Sequence, residues 1–178
     1  GLVGYGYASK TFHAPLISGT PGLALTTVSS SDAAKVHADW PGAKVVSAAG
    51  ELLNDPEIDL VVIATPNDTH FPLAKAALEA GKHVVVDKPF TVTLSQAREL
   101  ESLAKHCGRV LSVFHNRRWD SDFLTVRTLI DEGLLGEVCY FESHFDRFRP
   151  QVRQRWREQA GPGSGIWYDL GPHLLDQA

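Results

Sequence analysis

Residues 59–64 read Asp-Leu-Val-Val-Ile-Ala, an unbroken apolar run closed by Thr65-Pro66-Asn67. Continuous rather than alternating hydrophobicity marks a strand covered on both faces, as in a parallel sheet. Residues 1–6, 23–29, 44–47, 82–86 and 109–114 form further short apolar or β-rich blocks and predict five more strands. Helical stretches fall between them. Lys10 to Ile17 is predicted as the first, with Pro15 expected to kink or shorten it. Ser30-Ser31-Asp32 caps a short helix through Trp40, and Asp68 begins another that ends at Gly81. Thr93 and Gln96 have capping-box spacing at the head of a further helix closed by Gly108.

Strands alternating with helices at this rhythm predict an α/β fold with a doubly wound parallel sheet. Right-handed crossovers bring every strand's carboxyl end to one rim, where such sheets bind ligands. The polar tips at 4–8, 29–31, 65–67, 87–89 and 115–119 therefore gather there.

The texture changes after Trp119. Asp120 is expected to cap a helix ending at Gly133, and residues 136–145 alternate like an antiparallel or edge strand, with Cys139, Phe141, Ser143 and Phe145 on one side. A basic and aromatic stretch follows, with Arg147, Phe148, Arg149, Arg153, Arg155, Trp156 and Arg157. After a glycine-rich turn at 161–165, residues 166–178 read as a last helix. The boundary is placed near Trp119. Residues 1–119 are read as one α/β domain, and 120–178 as the beginning of a second.

The first turn carries the clearest chemistry. Gly4, Tyr5, Gly6, Tyr7 and Ala8 follow a strand and precede a helix. Gly4, Gly6 and Ala8 fit G-x-G-x-x-G/A with the last small residue one place early. The first glycine permits the turn, and the second admits a pyrophosphate close to the backbone. The helix N-terminus then meets the phosphate charge. An ordinary glycine turn is the competing explanation, and the other strand tips weigh against it.

Many NAD sites place an acidic residue at the end of the second strand to hold the ribose 2′-OH. Here that strand runs out in Ser29, Ser30 and Ser31, whose hydroxyls suit a 2′-phosphate, so NADP is favoured and NAD remains the alternative. Asp32 either turns back to the ribose or caps the next helix, and the cap is preferred. Lys35, one turn on, is either phosphate-neutralising or ordinary solvated surface.

Lys88 stands between Asp87 and Pro89 on the rim, where the nicotinamide end belongs. A lysine in a turn is commonly only surface. Asp169 and His173 are four apart and so share a helix face, which makes them either a surface pair or an orienter and a base. Oxidising an alcohol needs a base for the hydroxyl proton and a cation for developing alkoxide charge. His173 and Lys88 are candidates for those tasks. Asn116, Arg118 and Arg149 are weaker substrate-side candidates, with interdomain bonds as their other reading. Thr65, Pro66 and Asn67 form a cofactor-facing tip, and His70 is read as a helix-start residue or cofactor neighbour.

Bulk properties exclude more than they specify. The chain has 178 residues, a net charge of −4 and 43% hydrophobic residues. The acidic total argues against nucleic acid, and no apolar run approaches the ~20 residues that span a bilayer. Cys107 and Cys139 lack CxxC spacing and suggest a reducing, cytoplasmic compartment without disulfide or zinc. The chain contains no Met, opens inside a strand and closes inside a helix, so a short preceding piece and a larger following one are expected.

Together, Gly4-x-Gly6, Thr65-Pro66, Asp87-Lys88-Pro89 and Asp169-x-Gly171-x-His173 resemble the glucose–fructose oxidoreductase / inositol dehydrogenase (Gfo/Idh/MocA) family. Residues 112–120 and 147–150 are similar to its NADP-dependent inositol dehydrogenases. The resemblance implies a Rossmann domain followed by an α+β domain with an open antiparallel sheet. That sheet would line the substrate site and pair subunits into a homodimer or homotetramer. Lys88, Asp169 and His173 are implied as the catalytic set, Lys88–Pro89 as a bond that can be cis, and a cyclic polyol or sugar as substrate. The family often has Glu at the place of Asp87. A regulatory NADP-binding sensor and an NAD-dependent glycoside hydrolase are the alternatives.

Overall fold

The computed structural model describes residues 1–146, 148–151, 154–155 and 158–178. The predicted positions Arg147, Arg153, Trp156 and Arg157 lie outside the described residues. The chain divides into two compact units, 1–113 and 114–178.

The first unit is built on a six-stranded sheet in the order β3-β2-β1-β4-β5-β6. Its strands are β1 (Leu2–Val3), β2 (Thr27–Ser29), β3 (Lys44–Val46), β4 (Leu60–Ile63), β5 (His83–Asp87) and β6 (Leu111–Phe114), the last ending at the boundary of the units. The pairs β1–β2, β2–β3, β1–β4 and β4–β5 are parallel. Leu2 lies opposite Val28 on one side and Val62 on the other. The predicted doubly wound sheet is thus present, and chain order reverses between β1 and β4, the crevice where open α/β sheets bind ligands.

The apolar runs are unbroken because both faces of the sheet are covered. The helices are α1 (Ala14–Gly19), α2 (Ala33–Asp39), α3 (Ala49–Leu53), α4 (His70–Glu79) and α5 (Leu94–Cys107). Leu2, Val28 and Val62 pack on one face with Tyr5, Ala14 and Val36. Val3, Val61, Ile63, Val84 and Val86 pack on the other with Leu52, Ala74, Leu78 and Leu100. Successive strand residues point to opposite faces, so neighbours in sequence feed different cores. Burying each such aliphatic side chain contributes about 1.5–3 kcal/mol.

Local signals account for most boundaries. Thr93 Oγ1 accepts the Gln96 N–H and Gln96 Oε1 accepts the Thr93 N–H, each at 3.3 Å, which completes the capping box of α5. Gly81 and Gly108 close α4 and α5 with φ of +75° and +63°. The first helix departs from expectation. Helical backbone starts at Tyr7 and passes through a π-helical turn, Ser9–His13, in which the Ala14 N–H reaches back to the Ser9 carbonyl. Pro15 stands just after that π turn inside a helical stretch running from Tyr7 to Gly19, so the distortion expected of an interior proline takes the form of the π turn rather than a break. Helix α3 was not predicted. It is five residues long, and Glu51 Oε1 accepts the Ala48 N–H at 3.1 Å to start it.

The second unit contains a 3₁₀ turn at Asn116–Trp119, helix α6 (Ser121–Asp131) and helix α7 (Ile166–Gln177). Gly133 follows α6 with φ +70°. Asp120 precedes α6 but does not cap it, because its carboxylate accepts from Arg117 Nη1 at 2.7 Å. The strand expected at 136–145 is not formed, and Val138, Tyr140 and Phe141 are exposed. A strand exists by pairing, and the described residues offer this segment no partner. Among the described residues no helix is long and apolar enough to cross a membrane.

Gly4 joins strand to loop with φ +88°, and a Cβ there would lie 2.7 Å from the Ala64 carbonyl oxygen. Both the conformation and the backbone contact oppose a side chain. Gly4→Ala is expected to lower the unfolding free energy by at least about 1–3 kcal/mol. An unchanged urea midpoint would refute the contact.

Candidate dinucleotide site

The loop after β1 is held from below. Ser9 is fully buried and donates its hydroxyl to the Gly4 carbonyl at 2.8 Å. Ser9, not Ala8, therefore occupies the third small position of the glycine motif, which corrects the sequence assignment. Ala8 is only half-buried. Tyr5 points inward. Its hydroxyl donates to Asp39 Oδ2 at 2.9 Å, and burial together with that carboxylate pushes its pKa up to about 12. Its contribution to the rim is the backbone, whose carbonyl accepts from Lys35 Nζ at 3.1 Å. Tyr7 lies 78% exposed with its ring edge-on to Phe12. Gly6 differs from Gly4, because a Cβ there would meet nothing within 4 Å. Internal packing does not require this glycine, so a requirement must come from outside the chain. The helix starting at Tyr7 presents its first N–H groups at the same place.

A cavity of about 390 Å³ opens beside this loop, lined among others by Gly4, Ser30, Ser31, Asp32, Lys35 and Thr65. Asp32 Oδ1 accepts the Lys35 N–H at 2.9 Å, so the carboxylate caps α2 as the sequence favoured. The Ser30 hydroxyl accepts the Asp32 N–H at 3.1 Å, and Ser31 is exposed. Lys35 extends back over the rim to the glycine loop. The cavity thus holds an ammonium, serine hydroxyls and the exposed carboxylate that caps α2. Such a set can hold a ribose and its phosphate groups.

Farther along the rim, Thr65 Oγ1 lies 2.6 Å from Thr69 Oγ1 across the 3₁₀ turn Asn67–Thr69. Pro66 is exposed and Asn67 buried. His70 has no exposed surface, with Nδ1 2.8 Å from the Pro89 carbonyl and Nε2 3.0 Å from the Thr65 carbonyl. Lys88 is half-buried and precedes a cis peptide bond to Pro89.

Asp87 is buried, and Oδ1 accepts the Lys88 N–H at 2.9 Å while lying 3.8 Å from His13 Nε2. Burial favours the neutral acid, but His13 and the Lys88 amide outweigh it and hold the carboxyl below its ordinary range. The sequence reading missed His13. Nothing in its local pattern ties it to a residue four strands later, and only the fold makes the pair.

In the second unit, Asp169 and His173 recur at helical spacing on α7, with His173 buried and Asp169 half-buried. Asp169 and Arg149 line one cavity of about 620 Å³ together with Arg155, Glu158 and Ser164. Arg149 Nη1 is 3.9 Å from Glu158 Oε1, and Arg155 also pairs with Glu158. Asn116 lies half-buried in its 3₁₀ turn. Arg118 grips Asp176 with two bonds of 2.7 and 2.6 Å. This guanidinium is thus engaged in an ion pair within the second unit.

Known proteins place these features in context. The profile of the Gfo/Idh/MocA oxidoreductase family, described by its NAD-binding Rossmann fold, matches residues 1–115. The profile of the Gfo/Idh/MocA C-terminal domain matches residues 123–178. The chain is 80% identical to the uncharacterized oxidoreductase YdgJ of Escherichia coli, covering 100% of this chain and 51% of YdgJ. It is 42% identical to the NADP⁺-dependent scyllo-inositol 2-dehydrogenase IolW of Bacillus subtilis, covering 99% of this chain and 49% of IolW. The solved structure of YPO2259 from Yersinia pestis superposes with a TM-score of 0.92 at 75% identity, covering 99% of this chain and 50% of that one. The chain spans about half the length of the curated relatives it matches.

Two outcomes follow from the geometry. Gly6→Ala should leave the unfolding midpoint unchanged while weakening dinucleotide binding by about tenfold or more, equivalent to ~1.4 kcal/mol. Titration of the purified variant with the dinucleotide checks this, and unaltered affinity would remove Gly6 from the site. Asp87 is held below the normal carboxylate range, so the stability it contributes is present above about pH 4 and lost as pH falls through its depressed pKa. Asp87→Asn should flatten that acid limb in urea unfolding followed from pH 7 downward. An unchanged slope would show that the folded protein does not favour the ionised form.

Proposed function

The chain belongs to the Gfo/Idh/MocA family, and from that premise we propose an NADP-dependent oxidoreductase acting on a secondary hydroxyl of a cyclic polyol or sugar. The observation that carries the cofactor choice is the cavity beside the glycine loop. Its acidic residue caps α2, while Lys35 and Ser31 face the space where a ribose phosphate would lie. Asp32 also lines the cavity with one oxygen engaged by the Lys35 N–H, and the Lys35 ammonium is the charge that offsets it toward a 2′-phosphate. IolW, with NADP⁺ in its name, supports the same choice, and it is the source of the inositol-like substrate class.

The bound nicotinamide would accept or donate the hydride. The residues of this chain do the rest. Gly4 and Gly6 let the loop backbone approach the pyrophosphate, and the helix starting at Tyr7 contributes its N–H groups. Lys88 carries the ammonium that stabilises negative charge developing on the substrate oxygen. His173 takes the hydroxyl proton, and Asp169, one turn earlier on α7, orients and charges it. Asp87 holds the Lys88 amide, so the ammonium stands on a fixed turn. In this reading the whole protein assembles as a homodimer or homotetramer.

In the whole protein, Lys88→Ala and His173→Ala should each lower kcat by ~10²-fold or more with an inositol-type polyol while NADP still binds. Undiminished turnover in either variant discards its assigned role. Lys35→Ala should raise the KM for NADP about tenfold, a loss of ~1.4 kcal/mol, and leave that for NAD unaltered. Equal effects on both cofactors would mean that the phosphate is read elsewhere.

A further inference from the structure

We propose that His70 is a two-ended positioning residue that ties the Lys88–Pro89 turn to the Thr65 loop. The inference rests on the reading of Lys88 as the working ammonium and goes beyond it.

The evidence is geometric. His70 is the first residue of α4, directly after the 3₁₀ turn, and has no exposed surface. Ala74, Ala77 and Leu78 sink α4 into the core, so the imidazole stands on a rigid mount. Its two nitrogens reach carbonyl oxygens of different strand-end loops, Pro89 at 2.8 Å and Thr65 at 3.0 Å. Both contacts are of hydrogen-bond length, so the ring lies wedged between the two loops.

Each end matters to the proposed chemistry. On one side Pro89 follows Lys88 directly. The Lys88 amide is already held by Asp87, so His70 fixes the chain just after the lysine as Asp87 fixes it just before. On the other side Thr65 lines the cavity beside the glycine loop, and its methyl group would lie 3.0 Å from a Cβ at Gly4. The ring therefore couples two tasks. It sets where the ammonium stands, and it sets the wall against which the dinucleotide lies. His70 touches neither reactant in this account and acts through its two neighbours.

Single substitutions can separate the two ends. Asparagine carries its amide nitrogen near the place of Nδ1, and glutamine carries it near Nε2. In the whole protein, His70→Ala should lower kcat at least tenfold and raise the Kd for NADP several-fold. His70→Asn should restore most of kcat and leave the Kd raised. His70→Gln should restore the Kd and leave kcat low. NADP binding is read by fluorescence titration, independently of turnover. If both variants match alanine, or both match the native protein, the positioning role is overturned.

The affinity readout does not depend on Lys88. If Lys88→Ala keeps full turnover while the affinity split between His70→Asn and His70→Gln persists, the catalytic reading fails and the tie stands.

Discussion

A backbone contact closer than any side chain would permit governs the first unit. Gly4 leaves β1 with a positive φ, and its Cα faces the Ala64 carbonyl at the end of β4. These two strands flank the point where the sheet reverses its order. A side chain at Gly4 would force the strands apart or turn the loop away, and either change closes the crevice. Ser9 secures the same glycine from the helix side by donating to its carbonyl, and Ser29 accepts the Gly4 N–H at 2.9 Å. The glycine motif is thus a structural device as well as the proposed phosphate site. Its first member serves the fold, and its second is unconstrained by the chain itself.

The acidic residues around the rim show how the site acquires its sign. The chain is net negative, and each acidic residue near the glycine loop is bound to a partner of its own. Asp39 takes the Tyr5 hydroxyl and the Lys10 ammonium, which hold its carboxyl below the ordinary range. Asp32 spends an oxygen on the helix amide of Lys35, where the helix dipole also favours negative charge. Asp87 is buried against His13 and its own following amide. The opening is lined by Lys35 and the serine hydroxyls together with Asp32, one of whose oxygens is taken by the helix amide. Local placement, not net charge, therefore decides which ligand the rim can hold. Overall composition pointed only to the absence of nucleic acid.

Much of this was legible in the residues, and the failures have identifiable causes. Continuous apolar runs locate β4 and β5 because burial on both faces leaves a pattern that no turn or surface helix imitates. Thr93, Gln96, Gly81 and Gly108 mark helix ends through chemistry confined to a few neighbouring residues. Helix α3 escaped notice because five residues are too few to show a period. Ser9 was passed over because a serine does not look like a glycine, yet a small side chain with one donor serves where the helix crosses the strand. The alternation at 136–145 was a genuine pattern without a partner, and alternation alone does not supply hydrogen bonds. His13 with Asp87, and Arg118 with Asp176, are pairs made by topology across long stretches of chain. No local signal announces them.

The second unit applies the same principle to a helix. Asp176 sits in the last turn of α7, where its own helix dipole is unfavourable to negative charge. It is nonetheless held below its ordinary pKa range, first by the two bonds from Arg118 and also by the nearby His115. Exposed ion pairs contribute little, about 0–1 kcal/mol, but this carboxylate is largely covered and the guanidinium binds it through two parallel bonds. The adjacent Gln177 amide donates to the Arg117 carbonyl at 2.9 Å. The carboxyl end of α7 is therefore fixed to the Asn116–Trp119 turn at two points. Within α7 itself, Gly171 leaves room for the Trp167 indole, which would lie 3.0 Å from a Cβ there. His173 stands about one turn and Asp169 about two turns before the fixed end. In the proposed reading a base can only be aimed if its helix neither slides nor rolls, and the Arg118–Asp176 pair supplies that condition at the carboxyl end.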